Sequence, residues 1–159
     1  MTAFELIRAL AQEADIGVLV TDAVVDAPGP TILYANPAFG RLVGRDLPDV
    51  VGRNPRFMQG RETRRVTLDA FHRALASGER FHGYLTNYRA DGAKYRAEID
   101  CRPLRAADGR IEHFVSFERE VLRRIGRPAV NGAGRYEPAH ESKTLLTGPI
   151  RALAVFEPA

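Results

Sequence analysis

The stretch Gly52-Arg53-Asn54-Pro55-Arg56-Phe57-Met58-Gln59-Gly60 is the most informative part of this sequence for the fold. It is too interrupted by glycine and proline for a long helix or a strand, but it suits a single helical turn. Asn54 is a capping residue type, and Pro55 stands at the first helical position, where no backbone N–H is needed. We therefore predict one or two single-turn helices within residues 45–60.

The chain downstream of this stretch predicts one longer helix followed by an antiparallel sheet. Thr63 is expected to cap the helix and Gly78 to end it, because glycine readily adopts the left-handed conformation that closes a helix. The dipeptides Asp91-Gly92 and Asp108-Gly109 favour tight hairpin turns. They divide the following chain into three predicted strands, at residues 80–89, 94–105 and 110–121.

The chain upstream of the stretch predicts an amphipathic helix and a β-hairpin. Residues 1–14 form the helix, because apolar side chains recur there at helical spacing. These side chains include Phe4, Ile7 and Leu10. Two strands separated by a Pro-Gly-Pro turn are predicted at residues 17–22 and 31–34. Asn36-Pro37 then starts a short helix, so the element order of the domain is β-β-α-α-α-β-β-β.

Residues 122–159 differ from the rest of the chain by scattered glycine and proline and by low periodicity. We predict an irregular tail there, with the weakest order at about residues 126–142. Its apolar stretch at 150–156 needs a surface, on this chain or on another protein. The predicted organisation is therefore a helix at 1–14, a folded domain at 15–121 and a tail at 122–159.

Length and composition indicate one cytoplasmic domain. The chain has 159 residues, 45% of them hydrophobic, and a net charge of +3 that is too balanced to indicate a nucleic-acid partner. No apolar run is long enough to span a bilayer, so we expect no membrane partner. The single cysteine, Cys101, excludes an internal disulfide and a multi-thiolate metal site. With no nucleophile–base pair, metal cluster or phosphate loop, we expect no catalytic residue and no enzyme activity.

The element order resembles that of a PAS domain, and residues 52–60 are similar to the signature of its light-oxygen-voltage (LOV) branch, Gly-Arg-Asn-Cys-Arg-Phe-Leu-Gln-Gly. The similarity continues at residues 87–92 and 113–118 and covers roughly residues 15–121. The resemblance implies an α+β fold in which helices pack across one face of a five-stranded antiparallel sheet. It also implies flavin mononucleotide (FMN) as cofactor, held between helices and sheet.

The resemblance implies roles for individual residues that match the family pattern. Asn54 and Gln59 would contact the flavin or its ribityl chain. Arg56 would pair with the phosphate, and Asn87 would bond the pyrimidine edge. These residues are the predicted cofactor-binding set, together with Glu118, which stands where the family has a glutamine facing flavin N5.

Other positions depart from the family pattern. Pro55 replaces the cysteine that forms the flavin adduct, His72 a second phosphate arginine, and Ala97 a second pyrimidine-edge asparagine. Because proline offers no thiol, we expect no cysteinyl-flavin adduct. Cys101 is expected to be too distant to replace it, since it lies about 13 Å beyond Ala97 along the strand. Glu118 is expected to be a buried carboxylate that binds oxidised flavin poorly.

The last predicted strand carries apolar side chains on both faces. Val115 and Phe117 point away from the pocket side, so something must cover them. The candidates are the amino-terminal helix, the tail, a second copy of the chain and an effector. We predict that these two residues form an interaction surface and that the protein is a homodimer that contacts a regulatory protein partner.

Two functions stay open from the sequence. One is a sensory or regulatory module that acts by dimerisation and protein contact, with a pocket that is empty, filled by side chains or adapted to another small molecule. The alternative is a LOV-like flavoprotein that senses redox state or photoreduction without the adduct cysteine. Bound flavin, visible as colour in the purified protein, distinguishes the two.

Overall fold

The computed structural model describes residues 1–126 and 134–158 of the chain. Its elements are α1 (Ala3–Ala11), β1 (Gly17–Asp22), β2 (Ile32–Ala35), α2 (Pro37–Val43), α3 (Arg65–Ala76), β3 (Phe81–Tyr88), β4 (Lys94–Arg105), β5 (Ile111–Arg123), β6 (Tyr136–Pro138) and α4 (Gly148–Ala152). Single-turn 3-10 helices lie at Leu47–Asp49 and Pro55–Met58. None of the helices in the described ranges has the length and apolar character that a bilayer crossing requires. The prediction of weakest order at about 126–142 falls partly on residues 127–133, outside the described residues.

The local signals around α3 fold as the sequence predicts, with one correction. The second 3-10 helix begins after Asn54, whose side chain accepts a hydrogen bond from the Arg56 backbone N–H at 2.8 Å. The prediction that Thr63 caps α3 is wrong, since the residue at the cap position is Arg64. The Thr63 hydroxyl instead donates to the Thr86 carbonyl at 2.6 Å, which ties the chain before α3 to β3.

The sheet is antiparallel with strand order β2-β1-β5-β4-β3, which confirms the predicted five-stranded α+β fold. Both hairpins turn at the predicted Asp-Gly pairs, where Gly92 and Gly109 have φ angles of 86° and 88°. β6 adds a short sixth strand by pairing with the end of β5. The described part of the predicted irregular tail at 122–159 therefore contains two short regular elements, β6 and α4.

Different parts of the chain cover the two faces of the sheet. On the inner face α2 and α3 pack over buried residues such as Ala97, Ile99 and Phe114. On the outer face lie α1 and an apolar part of the carboxy-terminal segment, residues 134–158. The outer cover includes Phe4, Ile7, Leu145, Ile150, Val155 and Phe156. Both chain ends therefore pack on the sheet, and the helices are not confined to one face.

This cover buries the predicted interaction surface. Val115 and Phe117 are only 3% and 4% exposed, because α1 and the carboxy-terminal segment pack over them. They are therefore not an exposed surface for a partner, which corrects the prediction. Leu10 was expected to join the cover, but it points away from the sheet and is 48% exposed.

The carboxy-terminal segment, residues 134–158, is anchored by the buried carboxylate of Asp100 on β4. Asp100 Oδ1 accepts hydrogen bonds from Nε of Arg80 at 2.9 Å and of Arg102 at 3.0 Å. Its Oδ2 accepts from Nη2 of the same arginines at 2.8 and 3.0 Å and from the Phe156 backbone N–H at 2.8 Å. The arginines also donate to backbone carbonyls of the segment, so a single buried charge cluster fixes it to the sheet.

Candidate functional site

A cavity of about 390 Å³ lies between α3, the second 3-10 helix and the inner face of the sheet. Small-ligand pockets typically measure about 300–1,000 Å³, so this volume suits a small molecule. The apolar walls are formed by Leu68, Phe71 and Leu75 of α3 and by Leu85, Ile99 and Phe114 of the sheet. Walls of this kind suit a largely apolar or aromatic ligand that a few polar groups orient.

The structure brings the predicted cofactor-binding residues together. Asn54, Arg56, Gln59, Asn87 and Glu118 all line the cavity. Asn87 and Glu118 lie in its interior and are 2% and 3% exposed, whereas Arg56 lies at its exposed mouth. The five positions therefore belong to one site. Asn87 and Glu118 are buried in its interior, while the other three residues are more exposed.

Asn54 and Arg56 direct their side chains to the loop between β1 and β2. Asn54 Nδ2 donates to the carbonyls of Pro28 and Gly29 at 2.9 and 2.7 Å, while its Oδ1 accepts from the Arg56 backbone. Arg56 Nη1 also donates to the Gly29 carbonyl, at 2.8 Å. The Asn54 amide is thus engaged on both its nitrogen and its oxygen. Its main role here is to hold the loop beside the cavity mouth.

Two ion pairs lie at the cavity mouth. His72 Nε2 of α3 lies 2.9 Å from Oδ1 of Asp26 in the β1–β2 loop, so this pair joins two sides of the mouth. Arg65 Nε lies 3.0 Å from Asp69 Oδ1 on α3. All four side chains are about half exposed or more, so each pair adds little to stability. Sequence reasoning missed Asp26 and Asp69, because single acidic residues in a loop and on a helix give no signal of a site.

Glu118 is the buried carboxyl group of the cavity wall, as the sequence predicts. Its Oε1 accepts a hydrogen bond from Ser116 Oγ at 3.2 Å. Its Oε2 has no hydrogen-bond partner within residues 1–126 and 134–158. Burial raises the pKa of this carboxyl to about 7, and the Ser116 hydroxyl offsets only part of that rise. A ligand atom that bonds Oε2 would therefore satisfy a buried polar group.

Pro55 and Cys101 lie on different walls of the same cavity. Pro55 begins the second 3-10 helix, while Cys101 lies on β4 and is 3% exposed. Burial raises the pKa of the Cys101 thiol, and the charges of Glu118 and Asp100 raise it further. A thiol held in its protonated form is a poor nucleophile. Ala97 is fully buried in the adjoining core and donates no side-chain hydrogen bond.

A sequence profile of the PAS domain matches residues 17–122 of the chain. The chain belongs to the PAS domain family. The bacterioopsin transcriptional activator of Halobacterium salinarum is 34% identical to this PAS domain over 71% of the chain and 16% of its own length. The blue-light-activated histidine kinase of Brucella canis is 34% identical over 63% of the chain and 20% of its own length. The chain thus spans a fifth or less of each of these relatives.

A solved light-oxygen-voltage domain, whose mechanism was studied with a flavin analogue, has the same fold as this PAS domain. The two superpose with a TM-score of 0.68 at 29% identity, over 76% of this chain and 87% of the other. The chain is therefore a PAS domain that is structurally similar to LOV domains. It is also similar in sequence to sensory and regulatory PAS domains of signalling proteins.

The residues of this PAS domain fit the ring system of FMN better than its phosphate. The apolar walls and the buried Asn87 amide suit a flat heteroaromatic ring. A phosphate, which stays in the exposed part of a site, would lie at the mouth beside the carboxylates of Asp26 and Asp69. Those carboxylates already pair with His72 and Arg65. The cavity therefore fits the ring system of FMN, while the basic side chains of its mouth, apart from Arg56, already pair with carboxylates.

Proposed function

We propose that this PAS domain is a sensory or regulatory module that binds a small heteroaromatic ligand in the cavity and reports it through protein contact. The proposal rests on Glu118, whose buried Oε2 finds no partner in the described part of the chain. Leaving a buried polar atom unbonded costs about 1–3 kcal/mol, so a ligand that bonds it gains affinity. The similarity to a transcriptional activator and to a histidine kinase supports a role in signalling.

Ligand binding is tested by thermal unfolding of the full chain with and without added flavin. Because a ligand that binds only the folded state stabilises it, saturating riboflavin is expected to raise the Tm by several degrees. The Glu118→Leu variant is expected to lose most of this rise at about pH 6, where a carboxyl with a pKa of about 7 is mostly protonated and can donate to an acceptor atom of oxidised riboflavin. An identical Tm with and without riboflavin and FMN contradicts the proposed function.

We also propose that no cysteinyl-flavin adduct forms in this cavity. Pro55 has no thiol, and Cys101 is a buried thiol with a raised pKa. The absorption band of flavin bound to the unmodified protein is therefore expected to show no reversible bleaching under blue light. Pro55→Cys is expected to introduce reversible bleaching, because the first position of a helical turn accepts residues other than proline. Absorption spectra before, during and after illumination measure both results.

Cys101→Ala is the matched control for the light experiment, because it removes the only sulfhydryl of the unmodified chain. It is expected to behave like the unmodified protein. Reversible bleaching that occurs in the unmodified protein and disappears in Cys101→Ala would contradict the proposal and would assign the adduct to Cys101.

The second candidate function is a flavin redox or photoreduction sensor. Glu118 favours it, because an ionised carboxylate only accepts hydrogen bonds and reduced flavin carries more N–H donors than oxidised flavin. An anaerobic titration is expected to show tighter binding of the reduced form. Equal affinity for both forms leaves the small-ligand module as the function and removes this alternative.

We propose that the predicted homodimer forms through α1, since Val115 and Phe117 are covered. Leu6 and Leu10 lie one turn apart on the outer side of α1 and are 47% and 48% exposed. Leu10→Glu is expected to reduce the mass measured by light scattering from dimer to monomer, because a charge is poorly solvated in an apolar contact. Val66→Glu, at an exposed apolar position of α3, is the control and is expected to keep the mass of the unmodified protein. A monomeric unmodified protein contradicts the proposal.

A further inference from the structure

The interior and the mouth of the cavity differ in their electrostatics. The buried polar side chains that line the interior are Thr21, Asn87, Ser116 and Glu118, at 4%, 2%, 4% and 3% exposure. The basic side chains that line the cavity, Arg56, Arg65 and His72, all lie in its exposed part. An ionised ligand group is costly to bury without a partner of opposite charge. The ligand part that enters the interior therefore carries no negative charge.

The basic side chains of the mouth are each bonded to an oxygen of the chain. Arg65 is bonded to the Asp69 carboxylate at 3.0 Å and His72 to the Asp26 carboxylate at 2.9 Å. Arg56 donates to the Gly29 carbonyl at 2.8 Å. A phosphate at the mouth would lie beside the carboxylates of Asp26 and Asp69, and Arg56, which bonds a neutral carbonyl and not a carboxylate, is the cation that can face it.

Hydroxyl groups suit the same mouth better than a phosphate does. The carboxylates of Asp26 and Asp69 are hydrogen-bond acceptors, and a hydroxyl donates to such an oxygen without adding charge. Charge-assisted hydrogen bonds of this kind are stronger than those between neutral groups. The acidic residues that oppose a phosphate therefore favour a hydroxylated side chain on the ligand.

We infer that the cavity takes a neutral heteroaromatic ligand without a phosphate, with a polar edge against Glu118 and hydroxyl groups toward Asp26 and Asp69. This inference rests on the proposed function, that the cavity binds a small heteroaromatic ligand. Riboflavin belongs to the chemical class and FMN does not. The ligand class thus differs from the FMN that the family resemblance implies.

Fluorescence titrations of the full chain with riboflavin and with FMN test the inference. Riboflavin is expected to bind about tenfold more tightly than FMN at low ionic strength. The difference is expected to narrow at about 1 M salt, where charges separated by more than about 3 Å are screened. FMN that binds as tightly as riboflavin overturns the inference and leaves the proposed function intact. Saturable binding of neither flavin overturns both.

A double variant tests whether the Asp26–His72 pair sets the selectivity. Asp26→Asn combined with His72→Arg replaces an acid and a histidine at the mouth by an amide and a permanent cation. It is expected to tighten FMN binding about tenfold and to weaken riboflavin binding, because the ligand hydroxyls lose the charged acceptor of Asp26. Both positions are exposed, so the fold should be retained. Asp49→Asn, an exposed acid outside the cavity lining, is the charge-matched control for the loss of one carboxylate. FMN affinity that does not rise in the double variant overturns the inference.

Discussion

The Asp100→Asn variant is expected to unfold with a free energy about 3 kcal/mol lower than that of the unmodified protein, because it breaks a buried ion-pair cluster. Asp100 is fully buried, and both its oxygens accept hydrogen bonds from Arg80 and Arg102. Asparagine is neutral and offers one acceptor oxygen, so the two guanidinium groups lose their counter-charge. The Phe156 backbone N–H, which bonds Asp100 Oδ2, loses its acceptor as well.

The same variant is expected to loosen the carboxy-terminal segment before the rest of the domain unfolds. Urea unfolding measures the loss of stability, and hydrogen exchange at the Phe156 amide measures the release of the segment. Asp108→Asn is the control, because Asp108 faces Arg110 in an exposed pair on a hairpin. Its effect is expected to stay within about 0.5 kcal/mol. Unchanged stability and unchanged Phe156 protection in Asp100→Asn contradict the anchoring role.

The pH dependence of stability provides a second test of Asp100. Burial opposes its ionisation, but hydrogen bonds from Arg80, Arg102 and Phe156 outweigh that effect and lower its pKa from 3.8 to about 2. A folded-state pKa below the unfolded value stabilises the protein above the unfolded pKa. This contribution of about 2 kcal/mol is expected to disappear as the pH falls from about 4 to about 2. Asp100→Asn is expected to lack this part of the acid dependence.

Glu118→Gln is expected to raise the free energy of unfolding at about pH 8 by about 3 kcal/mol. Burial raises the pKa of Glu118 from 4.5 to about 7, and this difference corresponds to about 3 kcal/mol. Between these two pH values the unfolded chain loses its proton while the folded chain keeps it. Stability is therefore lost as the pH rises from about 4.5 to about 7, and it stays reduced above that range. Glutamine is neutral at every pH and avoids this penalty.

Urea unfolding at about pH 4.5 and about pH 8 measures this effect. The variant and the unmodified protein are expected to differ little at the lower pH, where Glu118 is protonated in the folded chain and about half protonated in the unfolded chain. Glu112→Gln is the matched control, because Glu112 lies on the same strand and is exposed. It is expected to change stability by less than about 0.5 kcal/mol at both pH values. An equal effect of Glu118→Gln at both pH values would show that the carboxyl does not titrate as its burial predicts.

The sequence by itself determined most secondary-structure elements and the residues of the cavity wall, because both depend on short-range patterns such as strand alternation, turns and helix caps. Side chains alternate along a strand, so Ala97, Ile99 and Cys101 had to share one face of β4. The Asp-Gly turns set the hairpins, and Asn54 with Pro55 set the 3-10 helix. The family resemblance suggested the cofactor-binding set, and in the structure its members line one cavity.

Only the tertiary structure shows which polar and charged side chains contact groups that are far away in the sequence. Asp26 and His72 are 46 residues apart, and Asp100 and Phe156 are 56 apart, so no local pattern indicates that they meet. The apolar stretch at 150–156 indicated that these residues pack on some surface. The structure shows that this surface is the outer face of the chain's own sheet. Strand alternation predicts that Glu118 is a buried carboxylate, but only the packing around it shows that its Oε2 has no partner within the described residues and that its pKa rises to about 7.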